Sequence, residues 1–192
     1  MPQANAAALD FLKTRRSRPA KTLRAPAPSR DQLEALLTLA ARTPDHGKLE
    51  PWRFIVLQQA AMPKLADAAE QAARKLGYDA EKTAKARGQF DQGICAVAVI
   101  ESPVLSEKIP AIEQTYSAGA VCLALLNAAL AAGWGANWLS GAISHERLFA
   151  EQALGLTPHE RIAGFVHIAT QSTPPPDRPR PDVKAKTTWL SA

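Results

Sequence analysis

An unbroken apolar run at residues 94–100, rich in valine, is the feature that most constrains how this chain can fold. A run that offers no polar face predicts a strand that is buried on both sides, at the centre of a sheet. The rest of the chain must therefore supply the elements that surround this strand.

The other patterns alternate helices with few strands. Ser29 and Gln32 form a capping-box pattern at the start of one helix, and the proline-containing residues 19–28 predict a connecting loop. Apolar periodicity and β-branched stretches predict helices at residues 6–14, 30–43, 62–76, 80–87, 112–132 and 145–154, and strands at residues 52–57, 136–139 and 162–169. This order predicts an α/β or α+β fold with a central sheet.

The composition is that of a soluble globular protein. Of the 192 residues, 46% are hydrophobic and 21% are charged, which is enough to bury one sizeable core. We expect a single domain over residues 1–192, ending in a proline-rich extension at residues 173–192 that is either disordered or laid across a partner subunit. The net charge of +5 suits phosphorylated small molecules, an acidic membrane surface or nucleic acid. No basic run is interleaved with aromatic residues, which disfavours nucleic acid.

Location and metal chemistry are constrained by three further patterns. The longest apolar run, residues 118–134, is short for a membrane span and contains Asn127, so we interpret it as a buried helix. The N-terminal sequence lacks the pattern of a signal peptide. Cys95 and Cys122 lie outside any CxxC or Cys/His cluster, which predicts buried thiols and no metal site. Together, these patterns predict a cytoplasmic protein without membrane contact.

A basic triplet, Arg15-Arg16-Ser17, follows the first predicted helix. Two guanidinium groups and a hydroxyl suit a phosphate, because arginine donates bidentately and serine adds a neutral donor. The alternative is that these cations only complement the dipole at the end of a helix. No glycine-rich phosphate loop is present, so a bound nucleotide would need side-chain cations of this kind.

A polar loop from Arg42 to His46 joins a predicted helix to the aromatic strand at residues 52–57. Its donors could face a planar ligand, or His46 could be an ordinary loop histidine. In the segment 133–141, glycines flank two tryptophans. The backbone and an indole could therefore approach a flat ring closely. The alternative is that the tryptophans only pack in the core. Ser140 lacks the G-x-S-x-G context of a nucleophile. Small residues at 117–120 of the long helix predict close packing.

Taken together, these segments resemble the nitroreductase family, in particular its small, YdjA-like members. The matching stretches are, in order, FLKTRRSRPA, LAARTPDHGKLEPWRFIVL, EQTYSAGAVCLALLNAALAAGWGANWLSGA and RIAGFVHIAT, and they cover most of residues 6–170. The resemblance implies an α+β, nitroreductase-like fold in which helices flank a central, mostly antiparallel sheet. It also implies an intertwined homodimer with one FMN at each of two interface sites.

Matching positions carry the family's cofactor contacts onto this chain. The resemblance implies that Arg15, Arg16 and Ser17 hold the phosphate and ribityl chain, and that Arg42 and His46 contact the flavin from their loop. No side chain is expected to act as a catalytic group, because the resemblance places the chemistry at the flavin itself.

The strand expected to run along the flavin is formed by Trp138, Leu139 and Ser140, and Ala128 on the long helix matches a position linked with the nicotinamide nucleotide. The small members usually carry arginine where this chain has Leu139. A backbone contact to the cofactor would survive that change, whereas a side-chain contact would not.

The function that the resemblance implies is that of an FMN-dependent NAD(P)H oxidoreductase. Hydride would pass from the nicotinamide to the flavin, and a small acceptor such as a nitroaromatic or a quinone would then take two electrons in a ping-pong sequence. The alternatives are a flavin-binding or flavin-handling protein with little reductase turnover, and a basic module that contacts nucleic acid. Salt-dependent binding without a chromophore would distinguish the last of these.

Overall fold

The computed structural model describes residues 3–191 and contains six α-helices and five strands within them. The helices are α1 (Ala6–Thr14), α2 (Arg30–Ala40), α3 (Met62–Lys75), α4 (Ala80–Asp91), α5 (Ala111–Ala131) and α6 (Arg147–Leu154). The strands are β1 (Leu23–Arg24), β2 (Trp52–Gln58), β3 (Cys95–Glu101), β4 (Gly135–Leu139) and β5 (Arg161–Gln171). Short 3-10 turns join several of them.

The strands form one sheet in the order β1-β5-β3-β2, and β4 pairs with β5 outside that path. All of the recorded pairings are antiparallel. Of the two fold classes that the element order left open, the α+β class is therefore correct, as the family resemblance implied.

All seven residues of β3 are buried, as the apolar run predicted. Successive side chains point to opposite faces of the sheet, so β3 supplies two separate cores. On one face, Ala96, Ala98 and Ile100 pack with apolar residues of α3, α4 and α6. On the other face, alternate β3 residues pack with α2 and α5. Helices cover both faces, which explains why this antiparallel strand has no polar side.

Helix α5 crosses the second of these faces. By length and composition alone it could span a membrane. In the structure it packs against β3, β4, β5 and α2. Its buried residues are Gln114, Ser117, Ala118, Val121, Cys122, Leu125, Leu126 and Ala129. The interpretation of this segment as a buried core helix is confirmed.

Both cysteines are buried, as predicted. Burial raises the pKa of Cys95 to about 11 and that of Cys122 to about 12. Both thiols are therefore protonated at neutral pH and are poor nucleophiles.

Several element boundaries differ from the sequence predictions by one to four residues, such as the end of α2 at Ala40 instead of residue 43, and three differences have a clear structural cause. The loop predicted at residues 19–28 contains β1, a two-residue strand whose Leu23 pairs with Gln171. Helix α4 runs to Asp91 instead of residue 87, because Phe90 in its last turn is fully buried. The helix predicted from residue 145 begins at Arg147, because Glu146 caps it by accepting a hydrogen bond from the backbone N–H of Phe149.

Candidate cofactor site

The basic segment that follows α1 lies beside the start of β4. The backbone N–H of Arg18 donates to the carbonyl oxygen of Ala136 at 2.8 Å. This bond fixes residues 15–18 along the edge of β4 that does not pair with β5. Backbone groups of alternate strand residues point the same way, so those of Trp138 and Ser140 face this free edge as well.

The two arginines of the triplet each hold an unsatisfied donor. Nη2 of Arg15 donates to Oγ of Ser17 at 3.3 Å. The Nε atoms of Arg15 and Arg16 are both buried and have no hydrogen-bond partner among the described residues. Because buried donors are normally paired, two adjacent orphaned guanidinium nitrogens indicate a place for an acceptor that the protein does not itself supply.

The C-terminal tail lies over this triplet. Nη2 of Arg16 donates to the carbonyl oxygen of Pro176 at 3.4 Å, and its Nε lies 3.8 Å from a carboxylate oxygen of Asp177. Arg180 pairs with Asp177 at 3.2 Å and donates to the carbonyl oxygen of Lys13. The tail therefore packs on the end of α1 of its own chain, an arrangement that neither sequence interpretation of the tail included.

The tail adds Arg180 to the cations around Arg15. The pKa of Arg15 is lowered, first by burial and then by repulsion from three neighbouring guanidinium groups, those of Arg16, Arg180 and Arg18. Asp177 is the acidic group that the structure places against this cluster. A cluster of like charges that lowers the pKa of one member is stabilised by an anion, and phosphate offers both the charge and the acceptors.

At the other end of β4, Trp138 lies over Gly164 on the neighbouring strand. A Cβ atom built on Gly164 would lie 1.9 Å from Nε1 of the Trp138 indole. The glycine therefore lets the indole approach the backbone of β5, while 37% of the tryptophan stays exposed. Leu139 pairs with Phe165 and is half-buried, and Ser140 lies 3.5 Å from a ring nitrogen of His145.

We expect Gly164→Ala to displace the Trp138 indole, because a methyl group and the ring cannot occupy the same space. Overpacking of this kind costs about 1–3 kcal/mol of folding free energy. Tryptophan fluorescence and chemical denaturation would measure both effects. Gly88→Ala on α4 is the matched control, because a Cβ there meets nothing within 4 Å. An unchanged fluorescence spectrum in Gly164→Ala would contradict the predicted displacement.

A cavity of about 380 Å³ opens where β4 ends. Ser140 and the following residues Gly141, Ala142 and Ile143 form one wall, and the end of the α3–α4 turn together with one face of α4 forms the other. The cavity thus adjoins the strand residues that the family resemblance assigned to the flavin ring.

The loop with Arg42 and His46 lies elsewhere on the chain. Nδ1 of His46 lies 2.6 Å from a carboxylate oxygen of Glu113, in the first turn of α5. The Ser117 hydroxyl donates to the carbonyl oxygen of Pro44, which ties the loop to α5. The Ser117 hydroxyl on α5 therefore positions this loop, in addition to the close packing that was predicted for the small-residue segment.

The backbone after His46 is held in an uncommon conformation. Lys48 and Glu50 have φ values of 54° and 48°, in the left-handed region that side chains other than glycine rarely adopt. The backbone N–H of Glu50 donates to the Asp45 carboxylate at 2.6 Å, which stabilises the turn. Such strained turns cluster at functional sites, so the conformation is consistent with a ligand-contacting loop.

The predicted site residues thus form two groups within one chain. Arg15, Arg16 and Ser17 lie beside the start of β4, the strand that follows the C-terminal end of α5, whereas His46 contacts the first turn of that helix. Helix α5 has 21 residues and is therefore about 30 Å long. Arg42 and the half-buried Ala128 lie along α5 between these ends. A single chain therefore does not bring His46 to the basic triplet.

Comparisons with known proteins identify the family of the chain. The sequence model of the nitroreductase family matches residues 12–170. The chain is 34% identical over 163 residues to YdjA of Escherichia coli, a protein provisionally named an NAD(P)H nitroreductase, and the match covers 85% of this chain and 87% of that protein. A Haemophilus influenzae protein with the same provisional name is 35% identical, with 85% and 88% covered.

Solved structures share the fold. A nitroreductase-like family protein from Bacillus cereus superimposes with a TM-score of 0.82 at 26% identity, over 100% of both chains. A provisionally named nitroreductase from Desulfovibrio desulfuricans, solved in complex with FMN, superimposes with a TM-score of 0.71 at 20% identity, over 95% of this chain and 96% of that one. The family model spans most of the sequence and the fold agrees throughout, so this chain belongs to the nitroreductase family.

Proposed function

We propose that the protein is an FMN-dependent oxidoreductase that uses NAD(P)H to reduce a small acceptor such as a nitroaromatic or a quinone. The observation that carries the proposal is the arrangement along the free edge of β4, with two buried, unpartnered guanidinium nitrogens at one end and an open cavity at the other. From Ala136 to Ser140 the strand rises about 13 Å. That span suits a ligand with a phosphate at one end and a ring at the other.

At the phosphate end, Arg15 and Arg16 would donate their free Nε–H groups and Ser17 its hydroxyl. The cluster contains the additional guanidinium of Arg180, and Asp177 already contacts Arg16 and Arg180. A phosphate in this position would replace the weak 3.8 Å contact of Arg16 with charge-assisted hydrogen bonds. This geometry favours a phosphate role over the simpler role of complementing the dipole of α1.

At the ring end, the free-edge backbone groups of Trp138 and Ser140 offer donors and acceptors to the rim of a planar ring. Donors aimed at a ring stabilise negative charge that develops on it. A contact through the backbone of neighbouring residues does not depend on the side chain at position 139, so it is compatible with leucine in place of the family's arginine.

We infer that a second copy of the chain completes the site. His46 lies at the N-terminal end of α5, whereas the triplet lies beside β4, which follows the C-terminal end of that helix. Helix α1 buries no residue, and its Leu9 and Leu12 are 49% and 60% exposed. An apolar stripe of this kind is expected to pack on a partner. A homodimer would cover it and bring the loop of one chain to the β4 edge of the other.

When bound, FMN supplies the redox chemistry by accepting a hydride from NAD(P)H and passing two electrons to an acceptor. The residues of this chain bind and orient the reactants, and we assign none of them a catalytic proton or nucleophile. The buried, protonated thiols of Cys95 and Cys122 agree with that division of roles. Ala128, whose side chain leaves room beside α5, stays a candidate contact for the nicotinamide nucleotide.

The test is an absorbance spectrum of purified protein reconstituted with FMN, recorded before and after anaerobic addition of NADH or NADPH. We expect a bound flavin band that either nucleotide bleaches and that an added quinone or nitroaromatic restores. Size-exclusion chromatography of the same sample should give a dimer. Protein that takes up no FMN would refute the proposal, and bound FMN that neither nucleotide bleaches would favour a flavin-handling protein.

A further inference from the structure

Helix α4 presents one face to the cavity at the end of β4. The residues on that face are Lys82, Lys85, Ala86 and Gln89, which follow the spacing of a single helical stripe. Ala86 carries only a methyl group, so the space between the longer side chains stays open. Tyr78, in the turn before α4, completes this wall.

On the opposite side of α4, the positive charge of Arg87 is paired with carboxylates of the protein itself. The guanidinium of Arg87 contacts three carboxylates at 2.7 to 2.8 Å, those of Asp67, Glu70 and Asp91. Their hydrogen bonds and charges raise the pKa of Arg87. Arg87 is therefore a structural cation that joins α4 to α3 and needs no further partner.

The cavity-facing lysines lack such partners. Lys82 lies 3.6 Å from Asp79, a single exposed contact, and no carboxylate of residues 3–191 lies within 4 Å of the Lys85 ammonium. Within the same part of the chain, no acidic residue lines the cavity. Two positive charges one helical turn apart therefore face an open space that contains no compensating negative charge.

We propose that this face of α4 is a subsite for an anionic group on the molecule that reacts at the flavin, with Lys85 as the main cation and Lys82 as the second. The inference rests on the proposed function, because it places the reacting ring next to Ser140 on the opposite wall. Tyr78 and Gln89 supply neutral hydrogen-bond donors beside the two charges. The group recognised is a carboxylate, sulfonate or phosphate.

This chemistry has two sources among the reactants. The anion can be carried by the electron acceptor, as in a nitrobenzoate, or it can be the extra phosphate that distinguishes NADPH from NADH. Matched pairs of compounds that differ only in that charge separate the two sources. The acceptor pair is 4-nitrobenzoate and 4-nitrobenzamide, and the nucleotide pair is NADPH and NADH.

The experiment compares Lys85→Gln and the double variant Lys82→Gln/Lys85→Gln with the unaltered protein. Glutamine retains most of the length of the lysine side chain and a hydrogen-bond donor, but it removes the positive charge. Binding of 4-nitrobenzoate and 4-nitrobenzamide to the oxidised, FMN-loaded protein is measured by calorimetry, which needs no turnover, and KM is measured for both nucleotides. Lys64→Gln, on the exposed side of α3 away from the cavity, is the control for a change in net charge.

We expect Lys85→Gln to weaken binding of the charged member of one pair by roughly three- to tenfold and to leave the neutral or less charged member unchanged. The double variant should show a larger effect, Lys85→Arg should restore binding, and added salt should shrink the difference. Loss confined to 4-nitrobenzoate assigns the subsite to the acceptor. Loss confined to NADPH assigns it to the nucleotide phosphate.

Equal affinities of variant and unaltered protein for both pairs would overturn the inference. FMN uptake and bleaching by NADH are recorded first for each variant. Consider a variant that binds FMN and whose flavin band is bleached normally by NADH. If it then distinguishes the charged from the neutral probe as well as the unaltered protein does, only the subsite is refuted. Absence of FMN from the unaltered protein would instead refute the proposed function.

Discussion

Replacing Arg16 with alanine is expected to weaken FMN binding by roughly ten- to hundredfold while the chain stays folded. A hydrogen bond to a charged group contributes about 1.5–3 kcal/mol, which corresponds to an effect of this size. Among residues 3–191, the side-chain hydrogen bond and the ion pair of Arg16 both go to the tail, at 3.4 Å and 3.8 Å, so its replacement removes no polar contact with the sheet. Fluorescence titration of the apoprotein with FMN would measure the change.

Arg30→Ala is the matched control for this prediction. Arg30 is also an arginine next to a helix terminus, but it forms an exposed pair with Glu34 and lies outside the candidate site. Its replacement should leave FMN affinity unchanged. If Arg16→Ala binds FMN as tightly as Arg30→Ala, the phosphate does not depend on Arg16, and the basic triplet would have only the dipole-complementing role at the end of α1.

The second large effect is a loss of stability in mild acid that depends on His167. This histidine lies on β5, is 1% exposed, and its Nε2 has no hydrogen-bond partner among residues 3–191. Burial lowers its pKa from 6.5 to about 4. Between these values the unfolded chain binds a proton that the folded chain does not, so the free energy of unfolding falls as the pH is lowered from about 6.5 to about 4.

The expected loss is about 3 kcal/mol over that whole range, of which about 2 kcal/mol is lost by pH 5. Denaturant unfolding at fixed protein and FMN concentrations, repeated from pH 7 to pH 5, would measure it. His167→Leu should flatten the pH dependence because it removes the titrating group. His159→Leu, at an exposed histidine, should not. An equally steep loss in His167→Leu would assign the acid sensitivity to another group.

The parts of the fold that local sequence determines could be predicted. The capping box of Ser29 and Gln32 is present, and the apolar run at residues 94–100 became the central strand. Strand β1 was missed because two residues carry no periodicity, and its existence depends on pairing with Gln171 far along the chain. The last turn of α4 was missed because burial of Phe90, a tertiary contact, extends the helix past the predicted end at residue 87.

In the candidate site, too, features set by local sequence could be predicted and features set by long-range contacts could not. Arg15, Arg16 and Ser17 could be proposed because they are adjacent in sequence. Arg180 could not, since it reaches the triplet through contacts between residues more than 160 positions apart. Lys82 and Lys85 match no known motif, and their proposed role follows only from the cavity that they line. The separation of His46 from the triplet depends on the three-dimensional placement of α5 and could not be predicted from their spacing in the sequence.

The position of the tail has a practical consequence for how the protein is produced. A proline-rich C-terminal segment is a common target for truncation, and the C-terminus is a common site for an affinity tag. Here a truncation before Pro176 would remove Arg180 and Asp177 and would expose Arg16. A histidine-rich tag fused at residue 192 would add titrating groups to the same tail. Preparations that differ only at this end are therefore expected to differ in flavin content, and an N-terminal tag is the better choice for measuring it.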